Sequence, residues 1–146
     1  MYPIKCYGQF LKLVFTTHPV NLTSDTVKVA LLSSSYTPDQ DAHTTFNDVA
    51  TYEISGEGYT TGGIELTNKQ VQYDPDNNQV IFTANSASWT NATFTARYAV
   101  IYVDKGTQAT DKPLIAYVDF QGEKSCENSE FTLEWPNGAI FAITTP

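Results

Sequence analysis

The residues of this chain that could do chemistry are few, and their spacing suits none of the common mechanisms. There are two histidines, His18 and His43, and neither has a second His four residues away, as two imidazoles need to share one metal. No G-x-S-x-G elbow presents a serine nucleophile. The cluster Gly56-Glu-Gly58 and Gly62-Gly63 invites a phosphate loop, yet it lacks the G-K-[ST] ending, precedes an apolar run typical of a strand and places Glu57 where phosphate would sit. A backbone bend that needs positive φ accounts for it better. Asp39, Asp41 and His43 could offer ligands from one side of an extended loop, and Asp74, Asp76, Asn77 and Asn78 could surround Ca²⁺. Neither matches the twelve-residue calcium loop; a solvated loop explains the first and turn chemistry the second. Glu53, Glu57, Glu65 and Glu134 could supply a carboxylate pair for glycoside hydrolysis, but acids on strands usually mark the solvent face. We therefore expect no catalytic residue, no metal, no cofactor and no enzyme.

Aromatic residues raise a different class. Trp89, Trp135 and nine tyrosines could stack on sugar rings, as in carbohydrate-binding modules, but most alternate with Val, Ile and Leu on expected strands, where core packing or subunit contact is the simpler account. Asn21-Leu-Thr23 and Asn91-Ala-Thr93 match the glycosylation acceptor pattern, which Asn- and Thr-rich chains produce by chance. Cys6 and Cys126 lie near opposite ends without C-x-x-C spacing. They are two free thiols in a reducing compartment, or a bridge within the chain or between subunits in an oxidising one.

Composition narrows the partners. At 146 residues one domain is expected over 1–146, long enough to bury a core without a staple. Only 16% of residues are charged, against about 25% in a typical soluble domain. The net charge is −8, with 8 basic residues scattered among 16 acidic ones, so there is no basic stripe to release counterions from nucleic acid. The longest apolar stretch, residues 10–15, is far too short to span a bilayer. The opening Met1-Tyr-Pro-Ile-Lys-Cys6 lacks the pattern of a secretion signal, so assembly in a cytoplasm is expected.

The elements that must carry these residues are mostly strands. Residues 7–15 set Phe10 against Val14 and Leu11 against Phe15, as on one helix face, and we expect a short helix there. Residues 27–32 are apolar on both faces, as in a central strand, and 97–103 read the same way. Further strands are expected at 64–73, 80–83, 114–120, 131–135 and 139–143, with turns at 74–78 and 136–138 and a helical turn at 46–49. The whole reads as all-β: an antiparallel sandwich or barrel of about seven strands with one or two short helical turns. The N-terminal segment 1–24 is the candidate for inter-subunit contact, through Tyr2, Phe10, Leu11 and Phe15, with core packing as the equal alternative.

Three blocks have a distinctive order. The first is Val27-Lys-Val-Ala-Leu-Leu-Ser-Ser-Ser-Tyr-Thr-Pro-Asp-Gln-Asp-Ala-His43, followed by Phe46-Asn-Asp-Val49. The second is Tyr52-Glu-Ile-Ser-Gly-Glu-Gly-Tyr-Thr-Thr-Gly-Gly63. The third joins Ala96-Arg-Tyr-Ala-Val-Ile-Tyr-Val-Asp-Lys-Gly-Thr107 to Leu114-Ile-Ala-Tyr-Val-Asp-Phe120. From about residue 25 to 135 this pattern resembles a family of small structural proteins of tailed-bacteriophage virions. The resemblance implies a non-enzymatic virion component that binds the major capsid protein or other virion proteins, as a homo-oligomer. A capsid decoration (cement) protein on the head is the leading expectation. A tail, neck or fibre subunit, or a carbohydrate-binding host-recognition module, are the alternatives.

Overall fold

The computed structural model describes residues 2–16 and 19–145. One of the two histidines weighed above, His18, falls outside them. The strands are β1 (Ile4–Cys6), β2 (Val27–Leu32), β3 (Ile64–Glu65), β4 (Gln70–Asp74), β5 (Gln79–Thr83), β6 (Ala87–Val103), β7 (Leu114–Leu133) and β8 (Ala139–Thr144), with one helix, α1 (Gly8–Thr16), after β1. They form a five-stranded sheet in the order β1-β7-β6-β2-β3 and a three-stranded sheet in the order β4-β5-β8, antiparallel throughout. The expected all-β architecture is thus a sandwich. Single 3₁₀ turns occur at Phe46–Asp48, Ala50–Tyr52, Ala109–Asp111 and Pro136–Gly138.

Burial on both faces explains the continuous apolar runs of β2 and the end of β6. Val27, Val29 and Leu31 join Ile101, Val103 and Phe120 in the core between the sheets. Ala30 and Leu32 face the other way, joining Val100, Tyr102 and Leu114 in a second cluster roofed by Tyr36, Phe46 and Val49. Leu31, Phe82, Ile101 and Phe120 are fully buried, each worth roughly 1.5–3 kcal/mol of transfer free energy. Helix α1 is only nine residues long and would be marginal alone, so the burial of Phe10 against the inner core is what holds it.

Several expectations need correction. The stretch 64–73 is two strands, one in each sheet. Leu66 donates to Val27 O beside β2, Asn68 then takes a left-handed φ of 53°, and the chain crosses to the second sheet. The stretches 114–120 and 131–135 belong largely to one long strand, β7, paired with β6 along almost its full length. Gln121 and Asn128, with φ of 60° and 48°, let the strand deviate without turning back. The segment 139–143 follows a turn with Asn137 left-handed but pairs with β5 in the other sheet, with Phe141 opposite Phe82. β1 gave no clear signal because its residues are half-buried or exposed at a sheet edge.

Cys6 lies opposite Ala116 of β7, whose partner on β6 is Ile101, and Cys126 lies opposite Phe94 further along β6, on the order of 20 Å away. That exceeds the Cα separation of a disulfide several-fold, so this fold does not bring the two thiols of one chain together.

Candidate functional site

Helix α1 does not cover the whole inner face of the small sheet. Between them a groove of about 350 Å³ opens to solvent, lined by Phe10, Leu11, Val14 and Phe15 of the helix, Val71, Val80, Phe141 and Ile143 of the sheet, and Val20 and Leu22 of the intervening loop. Apart from Thr145 every lining side chain is apolar. Four large apolar residues of the described chain are exposed: Phe15 at 80%, Tyr73 at 55%, and Leu11 and Val71 at 40% each. Three of them line this groove. The fourth, Tyr73, lies two residues beyond Val71 on the same face of β4. Scattered exposed apolar residues are ordinary, but their concentration around one groove marks a contact surface.

The loop wall is held in place by charge and turn chemistry. Asn21 Oδ1 accepts from the N–H groups of Thr23 and Ser24, Asp25 Oδ2 accepts from Asn21 N, and Lys105 Nζ reaches both Pro19 O at 3.0 Å and Asp25 at 3.4 Å. Lys69 Nζ donates to Asp25 O. Val20 and Leu22 are therefore presented on a braced loop.

Of the residues singled out from sequence, Phe10, Leu11 and Phe15 come together on α1, with Phe10 as the buried anchor and the other two outward. Tyr2 is elsewhere: it packs edge-on against Phe120 at 5.3 Å, beneath Lys124. Val71 and Tyr73 were missed because alternation in Gln70-Val-Gln-Tyr-Asp74 reads as an ordinary half-buried strand. Only the fold shows that the apolar side of its end strand is left uncovered.

The polar clusters resolve into structural roles. Asp39 Oδ1 accepts from Asp41 N and Ala42 N, and Asp74 accepts from Asp76 N and Asn77 Nδ2, so both acidic stretches brace their own turns. His43 Nδ1 lies 2.9 Å from the Tyr36 hydroxyl, itself 2.7 Å from Tyr7 Oη, a buried chain across the second core cluster. Burial pushes the Tyr36 hydroxyl up to about 12, and burial together with the bond to Tyr36 moves Tyr7 further in the same direction. Nearby, burial works against ionisation of Asp48, but bonds from Thr44 and Thr45 outweigh it and hold its carboxyl below the ordinary range.

Glu53 accepts from the Tyr59 hydroxyl and from Gly62 N, while Tyr102 Oη donates to Gly62 O at 2.6 Å. The glycine-rich stretch is accordingly a bend pinned against β2: Gly63 has φ of 85°, and a Cβ there would fall 1.9 Å from Val29 O. Trp89 and Trp135 are buried in the core, the latter donating to Asn85 O, so neither offers a face to a sugar. Among the described residues, no three His, Cys, Asp or Glu side chains converge as metal ligands would. No described helix is long and apolar enough to cross a membrane.

No protein-family model matches the chain, and no curated protein or solved structure gives a significant match.

Proposed function

We propose that this chain is a structural subunit of a tailed-bacteriophage virion, a capsid decoration protein that binds the assembled head and stabilises it. The observation that carries this reading is the apolar patch around Phe15. It is an uncharged apolar surface on a domain that is otherwise weakly charged. The resemblance of the blocks 27–43, 52–63 and 96–107 to phage virion proteins supplies the biological setting. The mechanism is linkage: a domain that binds only the expanded shell stabilises that state by mass action, and many copies sum small contributions against internal pressure. Its localisation is then the virion, with the major capsid protein as the principal partner.

The test is co-sedimentation of the purified protein with isolated heads of the phage that carries it. Wild type is expected to saturate the heads at many copies and Phe15→Lys at far fewer. Binding confined to tails would place the subunit there instead. A wild-type protein that stays in the supernatant with both would end the reading.

A further inference from the structure

We propose that the occupant of the apolar patch is a second copy of this chain, docked by antiparallel pairing of β4 with its counterpart about a two-fold axis at Gln72. This rests on the reading of the patch as an assembly surface: copies pair through it, and Phe15→Lys weakens head binding by loss of that pairing.

β4 is the end strand of its sheet and pairs on one side only, with β5, in unbroken register from Gln70↔Thr83 to Asp74↔Gln79. Among the described residues, no backbone group of β4 bonds to any segment other than β5. Folded proteins ordinarily guard such an edge with lysine, proline, a bulge or inward charge. The far part of β7, which among the described residues pairs with β6 on one side and with no strand on the other, follows that rule: it carries Glu123, Lys124, Glu127 and Glu130, with left-handed residues at Gln121 and Asn128. Within β4 the one charge is Asp74, at the strand's end and on the face opposite Val71 and Tyr73, and no lysine, proline or bulge interrupts the strand. The one lysine beside it, Lys69, is folded back onto Asp25 O.

The strand is also self-complementary. Antiparallel pairing centred on Gln72 sets Val71 opposite Tyr73 of the other copy, a β-branched and aromatic pair of the kind that stabilises sheets. Gln72 meets Gln72, and Asp74 meets Gln70, so no carboxylate faces another. That matters for a chain of net charge −8, which can associate with itself only through a contact free of opposed acids.

The area is adequate. The exposed parts of Phe15, Tyr73, Leu11 and Val71 amount to roughly 400 Å² of largely apolar surface per copy. A standard interface of ~800 Å² per partner contains roughly 450 Å² of apolar surface. The backbone of β4 and the polar rim supply the remainder.

The experiment combines sedimentation equilibrium with cysteine cross-linking in a Cys6→Ser, Cys126→Ala background. Wild type is expected to sediment at twice the 16.2 kDa of the chain, and Val71→Lys, which places a guarding charge on the edge, to lose the dimer. Gln72→Cys should cross-link to itself under mild oxidation. Gln70→Cys should not, yet should cross-link when mixed with Asp74→Cys. A wild type that remains monomeric at ~100 µM, well above the Kd of an ordinary specific interface, or a Gln72→Cys protein that cross-links no faster than Gln70→Cys, would overturn the pairing. The two readings separate cleanly. A monomer that still coats heads overturns the pairing alone, whereas a Gln72-linked dimer that binds neither heads nor tails supports the pairing and ends the virion reading.

Discussion

Tyr36 ties the segment that roofs the second core cluster to the start of the chain, through Tyr7 on one side and His43 on the other. Removing its hydroxyl orphans a buried partner, which costs more than a typical net hydrogen bond. Tyr36→Phe is therefore expected to lose about 1–3 kcal/mol of stability in urea unfolding with m unchanged. The double change Tyr7→Phe with Tyr36→Phe should recover part of that loss, since no hydroxyl is then stranded. Alkali tests the same cluster. Burial raises the hydroxyls of Tyr7, Tyr36, Tyr59 and Tyr102 above the tyrosine pKa of the unfolded chain, about 10. Their contribution is complete below that value and is lost as pH climbs through the Tyr36 value of about 12. Absorbance at 295 nm should show this buried set ionising only with cooperative unfolding. A single smooth titration near pH 10 would contradict this. Gly63→Ala should be severely destabilising, because its Cβ would meet Val29 O in a left-handed backbone.

Helix α1 divides its apolar residues between two tasks. Phe10 reaches the inner core, so Phe10→Ala is expected to cost about 3 kcal/mol. Phe15 touches mostly solvent, so Phe15→Lys should leave the isolated domain's stability within about 0.5 kcal/mol while weakening assembly. Thermal melts of the two variants at low concentration separate these roles. The periodicity of residues 7–15 made the helix legible, and the two-sided apolar runs at 27–32 and 97–103 made the sheet centre legible. Where one strand ended was harder to read, because left-handed asparagines serve both turns and bulges. Asn78 closes a hairpin, whereas Asn128 bends a strand that continues. The groove was half legible. Its helical side showed as excess apolar residues at the N-terminal end, but its sheet side depended on which strand became an edge, a property of topology.

At the scale of the whole molecule, the domain combines a well-packed body with one place where packing stops. Both faces of the centre of the five-stranded sheet are covered, by the second sheet and by the segment carrying Tyr36 and Phe46, whereas the three-stranded sheet ends in an unpaired edge beside an open groove. A shape of this kind suits a subunit that reaches its final burial in an assembly. Pairing two copies would also couple their contacts with a shell, raising the apparent affinity of each through effective concentration. The most direct measurement is a cryo-electron microscopy map of the intact particle. The account predicts this sandwich in many copies on the head, with Phe15 and Tyr73 buried against a neighbouring subunit. A particle without the domain, or one in which that patch faces solvent in every copy, would contradict it.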